Sequence, residues 1–334
     1  MAATIKDVAR LAGVSHTTVS MVIHKDKRIT SATKEKVEKA IKKLNYHPNY
    51  MARSLVRGKS NSVAVVATYF SSMFEVNFLK GLESGSSDNP YNINQYSTRG
   101  RAESKQEILQ SLLYGKMADA VIILSIRPDD NLMEEYRKSD IPVILIEERA
   151  PGASTIMSDN YKGAYDAASY LADKGKRNIA LIAGSGEEEQ GLSPAERKRG
   201  FVAALHDKKI DVRNDLFYAV KNYIFEDGVN AVKQFLRSSH KPDAVFCAAG
   251  DLVALGAIKE AENEGFKVPD DIPVIGYDDI EFAPFFKPPL TTVKQPVFEM
   301  GKRAFNIAVD LIKNPSSGPV EIIFDTELII RESA

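Results

Sequence analysis

The 334 residues, 44% hydrophobic and 27% charged, are the composition of an ordinary globular protein with material for two or three domains. One cysteine, Cys247, excludes an intramolecular disulfide, no apolar run reaches the roughly 18 residues of a membrane span, and "MAATIKDVAR" is no secretory leader, so a cytoplasmic protein without membrane contact is expected. The net charge of −1 hides an asymmetry: residues 1–60 hold thirteen Lys or Arg against four acids, a basic head on an acidic body. That is the electrostatic footprint of a nucleic-acid-binding module joined to a regulatory or catalytic one.

Thr4 opens the first predicted helix, and Asp7 three residues on is a capping-box partner for it. Val8, Ala9, Leu11 and Ala12 give this helix one apolar side; Gly13 ends it and Val14 plugs the turn. Ser15 then caps a second helix whose Val19, Val22 and Ile23 face inward, leaving His16, Thr17, Ser20 and Met21 on a polar face without charge. Thr30 and Ser31 precede a third helix with Val37, Ala40, Ile41 and Leu44 at helical spacing. The arrangement reads as a helix-turn-helix with a third helix behind it, its second helix entering the major groove, or else as a small helical bundle. Residues 46–62, "YHPNYMARSLVRGKSNS", read as a short helix after Pro48 that is too short to hold together alone in water.

"TIKDVARLAGVSHTTVSMVIHKDKRITSATKEKVEKAIKKLNYHPNYMARSL" resembles the DNA-binding head of the lactose-repressor (LacI/GalR) family, through T-I-x-D-V-A, A-G-V-S-x-x-T-V-S, Y-x-P-N and A-R-x-L. The resemblance implies a helix-turn-helix domain at 1–46, a hinge helix and linker at 47–61, and double-stranded DNA with a pseudo-palindromic operator as partner. It implies DNA contacts from Thr4, Ser15, His16, Thr17, Thr18, Ser20 and Met21 in the head and from Asn49, Ala52, Arg53 and Leu55 in the hinge. Leu55 matches a wedge that kinks the duplex at a central C·G step. Met21 stands where many members carry an arginine or another polar residue, and it lacks the bidentate pair with guanine that arginine makes. It either packs on a thymine methyl or sugar edge, or covers apolar surface and reads nothing.

Beyond residue 61, buried-strand runs recur at 62–67, 91–97, 118–124, 142–147, 178–183, 243–248 and 273–277. Amphipathic stretches of helical length lie between them at 101–116, 161–174, 194–208 and 251–264. Alternation of this kind builds parallel sheets with helices on both faces. The fold class expected is thus an α-helical helix-turn-helix head plus an α/β two-lobed core of two parallel-sheet subdomains. One lobe is expected at about 62–160 plus 291–330 and the other at 161–290, together the ligand-binding and dimerisation core 62–334. Ligands of such sheets bind at the strands' carboxyl ends, here the cleft between the lobes.

"SDNYKGAYDAASYLADKGKRNIALIAG", "ERKRGF", "PDAVFCAAGDLVALGAI", "VPDDIPVIGYDD" and "PLTTVKQP" are similar to the periplasmic-binding-protein-like core of the same family. The likeness implies effector contacts from Arg197 and Asp278, aromatic walls from Phe74 and Tyr223, and a looser lining from Tyr69, Ser125, Asp159 and Gln295. Arg197 and Asp278 have the alternative of an ion pair between the lobes, and Phe74 and Tyr223 that of core aromatics. Gly250 replaces an asparagine frequent in sugar-binding relatives, and Lys162 an acid found in some sugar-responsive ones.

"AGSGEEEQG" at 183–191 lacks the endings of phosphate loops, and no catalytic constellation, metal-ligand spacing or cofactor motif emerges. The chain is therefore expected to be a non-enzymatic, homodimeric transcriptional regulator, most simply a repressor, without cofactor or metal. Its effector is expected to be a sugar, a sugar derivative such as a sugar phosphate, or, as the alternative, a purine or other metabolite acting as corepressor. A transporter's solute-binding protein shares such a core but lacks a basic head and needs export.

Overall fold

The computed structural model of the chain describes residues 3–23, 26, 28–47, 59–87, 89–184, 191–220 and 222–334. It falls into two compact units, Met1–Ser60 and Asn61–Ala334, each described by itself below.

In the first unit, helices α1 (Ile5–Ala12), α2 (His16–Ile23) and α3 (Ser31–Leu44) close around Val8, Val19, Val22, Val37 and Ala40. The expected caps form. The Thr4 backbone N–H donates to Asp7 Oδ2 at 3.0 Å while the Asp7 N–H donates to Thr4 Oγ1 at 3.4 Å. Gly13, at φ +66°, takes the left-handed turn that ends α1, and the Thr18 N–H donates to Ser15 Oγ at 3.1 Å to start α2. Thr30 caps α3 through the Thr33 N–H, and Asn45 at φ +45° ends it. The hinge helix expected within 47–61, with Asn49, Ala52, Arg53 and Leu55, lies outside the described residues.

The second unit is two lobes, each a six-stranded sheet between helices. In chain order come β1 (Ser62–Ala67), α4 (Met73–Ser86), β2 (Asn92–Ser97), α5 (Ala102–Tyr114), β3 (Ala120–Leu124), α6 (Asp130–Lys138), β4 (Val143–Ile146) and β5 (Ser154–Ser158). Next are α7 (Asn160–Asp173), β6 (Ile179–Gly184), α8 (Leu192–Asp207), β7 (Phe217–Val220), α9 (Phe225–Arg237), β8 (Ala244–Cys247), α10 (Asp251–Asn263), β9 (Val274–Asp278) and β10 (Thr291–Lys294). The chain ends with α11 (Val297–Lys313), β11 (Glu321–Phe324) and β12 (Glu327–Ile329).

The first sheet runs β11-β5-β4-β3-β1-β2 and is parallel throughout. The second runs β12-β10-β9-β8-β6-β7, parallel except for the antiparallel edge pair β10–β12. Central strands such as β1, β3 and β4 are buried along their whole length and almost wholly apolar because both faces are covered by helices.

This topology corrects the expectation that 291–330 returns as one piece to the first lobe. Strand β10 pairs with β9 and stays in the second sheet, α11 and β11 join the first, and β12 goes back to the second. The chain therefore crosses between the lobes three times, near 159, 295 and 325. The first and third crossings are bonded to each other: Asp159 N–H donates to Phe324 O at 2.8 Å, and Thr326 Oγ1 to Asp159 O at 3.2 Å.

Helix pairs on the sheets approach backbone to backbone at glycines. A Cβ on Gly81 of α4 would stand 2.0 Å from Phe298 O of α11, and one on Gly301 2.1 Å from Phe78 O. Gly228 of α9 and Gly256 of α10 meet Val253 O and Phe225 O in the same way, each at 2.0 Å.

Candidate nucleic-acid interface and effector cleft

In the head, geometry divides the residues proposed for DNA. Thr4, Ser15 and Thr18 spend hydroxyl groups on the helix starts: Thr4 Oγ1 lies 2.7 Å from Asp7 Oδ2, and Ser15 Oγ lies 2.9 Å from Thr18 Oγ1. His16 and Thr17 are exposed at the beginning of α2, while Ser20 and Met21 are half-buried. Met21 is not among the side chains packed on the head's apolar cluster, which takes Ile23, Ile29 and Ile41 instead. The exposed face of α2, sequence HTTVSMVI, thus carries no full charge. What such a face offers a partner is hydroxyls, an imidazole and a thioether rather than charge.

In the core, the carboxyl ends of both sheets face the cleft between the lobes. Arg197 on α8 donates from Nε to Asn160 Oδ1 at 2.7 Å and from Nη1 to Ala248 O at 2.8 Å. Its guanidinium lies 3.8 Å above the ring of the buried Tyr277. Stacking and two directed bonds fix this cation before any ligand arrives.

Asp278 ends β9 at φ +105°, a strained backbone for an aspartate, and accepts Gln295 Nε2 at 2.6 Å. Burial lifts its carboxyl to about 6, the charges of Glu75 and Glu147 adding to the rise while Arg197 and the Gln295 bond pull it back. Gly250, at φ +111°, keeps the neighbouring space open: a Cβ there would stand 3.0 Å from Asp278 Oδ2. Asp251, next in the chain, is raised well above the ordinary carboxylate range, first by burial and then by Asp278. It accepts Thr292 Oγ1 at 2.5 Å and the Ile280 N–H at 2.9 Å.

Across the cleft, Phe74 of α4 packs on the first lobe's core and also lines a crevice of about 50 Å³ shared with Asp278, Ile280 and Lys80. A water molecule alone occupies roughly 30 Å³ of liquid, so this crevice is too small for a sugar or purine ring. The two aromatics are thus divided: Phe74 is both core and wall, whereas Tyr223, at φ +57° and 37% exposed, is no core residue. Tyr69 is exposed and donates to Arg99 O at 3.1 Å, and Ser125 stands exposed in the left-handed region after β3. Asp159 caps α7 by accepting the Lys162 N–H at 2.9 Å. The suggested ion pair between the lobes from Arg197 to Asp278 is replaced by something else, since both belong to the second lobe and Arg197's bonds go to Asn160 and Ala248.

Sequence reasoning missed a buried group that bridges the lobes. Glu147, just past β4 at φ +59° and 2% exposed, accepts the Ser158 N–H at 2.7 Å, Asn160 Nδ2 at 2.5 Å and Ser193 Oγ at 2.5 Å. Ser193 belongs to α8, so a first-lobe carboxylate holds the start of a second-lobe helix. The signal was in "PVILIEE": two acids directly after a buried strand need donors. Among the described residues no group of three or more His, Cys, Asp or Glu is placed to hold a metal ion, and no helix is long and apolar enough to cross a membrane.

A helix-turn-helix head joined to a two-lobed cleft with a fixed cation and acid defines the class of ligand-responsive DNA-binding regulators. Family comparison agrees: the model of the bacterial regulatory proteins of the lacI family matches residues 4–49, and that of the periplasmic binding protein-like domain matches residues 168–334. The HTH-type transcriptional repressor PurR of Vibrio parahaemolyticus serotype O3:K6 is 35% identical over 334 residues, 99% of this chain and 98% of that one. PurR of Salmonella arizonae is 35% identical over 337 residues, 99% and 96% of the two chains. Among solved structures, a complex of the transcriptional regulator CelR with cellobiose aligns at TM-score 0.74 and 30% identity, over 99% of this chain and all of that one. The lac repressor bound to ONPG in its repressed state aligns at TM-score 0.84 and 26% identity over the full length of both. The chain belongs to the lacI family of bacterial regulatory proteins and is a DNA-binding transcriptional repressor regulated by a small-molecule effector.

Proposed function

We propose that this repressor works in the cytoplasm, without catalytic activity, as a homodimer on a pseudo-palindromic operator with a central C·G step. Its effector is a sugar-like molecule bound between the lobes. The observation that carries the effector reading is Asp278 at the end of β9, sharing a crevice with Phe74 of the other lobe, together with Arg197 of α8 held at Ala248 O just past β8. A fixed donor, a fixed acceptor and an aromatic wall match a ring with hydroxyls on its edge and an apolar face. The cellobiose bound to CelR is a ligand of that kind. Two copies are supported by large apolar side chains left exposed on the second lobe, Phe285 at 78%, Phe282 at 53%, Leu252 at 46% and Ile224 at 42%.

Effector binding moves the lobes, and the hinge at 49–57 orders or melts in response, Leu55 entering the minor groove when ordered. DNA affinity is expected to fall steeply with salt as lysines and arginines release phosphate counterions. Selection of bound sequences from a random duplex library tests the reading, with Met21→Arg in parallel. A palindrome is expected, and a changed base preference in the variant places position 21 on the DNA. A pool without enrichment, repeated with metabolite extract and still blank, would sink the operator reading.

A further inference from the structure

Asn160 stands at the first crossing between the lobes, as the opening residue of α7, and is 1% exposed. Its amide meets a partner on every side. Nδ2 donates to Glu147 Oε2 at 2.5 Å and to Ser158 O at 3.1 Å. Oδ1 accepts Arg197 Nε at 2.7 Å and the Tyr277 hydroxyl at 3.3 Å. Two bonds given and two received are the full capacity of an asparagine side chain.

The two sides differ in origin and in charge. Glu147 follows β4 and Ser158 ends β5 in the first lobe, whereas Arg197 lies on α8 and Tyr277 on β9 in the second. The amide nitrogen therefore faces a carboxylate and the amide oxygen a guanidinium. Turned over, the amide would set its oxygen against Glu147 and its N–H groups against Arg197, so the two charges fix one orientation. Bonds to ionised groups are the strong ones, and each polarises the group between them. Glu147 takes its other bonds from the Ser158 N–H and Ser193 Oγ, neither a cation. The positive charge it reaches is that of Arg197, on the far side of the Asn160 amide.

We infer that Asn160 is a positioning residue of the effector site: its amide relays the hold of Glu147 in the first lobe to Arg197 in the second. The direction of the cation offered to the effector then depends on where the first lobe stands; this rests on the cleft being the effector site. When Glu147 moves away with its lobe, the amide is free to turn and the bond to Arg197 Nε loosens with it.

The test is the proton–nitrogen resonance of Arg197 Nε–H in the full chain without ligand, assigned by its loss in Arg197→Lys. In the wild type it is expected to exchange slowly with water. Glu147→Gln alters the partner of Asn160 without touching Arg197, and is expected to speed that exchange about tenfold or more, the worth of one bond to a charged group. The β9 backbone amides in the same sample are expected to stay as they were; general loosening would move both. Glu147→Asp keeps the charge but draws it back from Asn160, and is expected to act in the same direction should the glutamine variant not fold. Joining Asn160→Asp to Glu147→Gln exchanges donor and acceptor between the two side chains and leaves an oxygen for Arg197. That pair is expected to exchange more slowly than Glu147→Gln alone. An Nε–H equally protected in the wild type and in a folded Glu147 variant overturns the inference, and so does a paired variant without recovery. Failure of the effector reading looks different: the resonance responds as expected, yet operator binding by Arg197→Lys answers metabolite extract as the wild type does, which takes the relay out of effector sensing.

Discussion

The two lobes share a scaffold and differ in what they bring to the cleft. Both are six-stranded sheets whose helices pack at glycines, Gly81 with Gly301 in one and Gly228 with Gly256 in the other. The second lobe carries a finished polar layer: Arg197 on Tyr277 and Asn160, Gln295 on Asp278, Thr292 on Asp251. The first contributes an aromatic wall at Phe74 and the carboxylates Glu75 and Glu147. Similar frames thus carry unequal faces: hydrogen bonds already fix the polar groups of the second lobe, while the first offers a ring and carboxylates. The lobe with prepaid geometry loses little on binding.

The largest expected effect tests the shared part. Gly301→Ala and Gly256→Ala each force a Cβ against a carbonyl oxygen, at 2.1 and 2.0 Å. Overpacking of this kind costs roughly 3 kcal/mol, and urea unfolding followed by hydrogen exchange should show a similar loss in whichever lobe is touched. A loss in one lobe alone would show that the scaffolds are not equivalent.

The next effect sharpens the difference. Asp278 stands at about 6 in the folded chain, against about 3.9 unfolded. Between those values the folded state holds the extra proton, so its stability falls as pH rises from about 4 to about 6 and remains lowered above. The change is at most about 3 kcal/mol. Melting curves of Asp278→Asn should lack this slope. Wild-type affinity for a hydroxyl donor should weaken as pH drops through 6, and a pH-independent affinity would remove Asp278 from the ligand's acceptors.

The smallest effect concerns the contact between lobes. Ser193→Ala removes one bond to Glu147 and should cost about 1 kcal/mol of the arrangement seen here. A shift in effector affinity with no change in binding enthalpy per site would be its signature. An unchanged affinity would mean that the Glu147 bridge does not discriminate lobe positions.

Much of the frame was legible in the sequence because burial on both faces leaves uninterrupted apolar runs, as in "SVAVVA" and "AVIIL". Strands such as "STIMS" and "ELI" carry no such run, and only two residues, Asp325 and Thr326, separate β11 from β12, so nothing in the pattern marked the third crossing. The site was legible one residue at a time. Asp159 was named for the cleft, but its side chain caps α7, and the adjacent Asn160 is the one that touches both Arg197 and Glu147. Choosing between neighbours needs the direction of a side chain, which a spacing does not contain.

The three crossings have a mechanical consequence. Two of them, near 159 and 325, are stitched to each other by backbone and hydroxyl bonds, and the one near 295 carries Gln295, which is bonded to Asp278. Two bodies joined by a single tether swivel freely, but bodies joined by three short tethers are left with little more than one rotation, like a door on its pins. Any movement of one lobe against the other must bend these same three segments together.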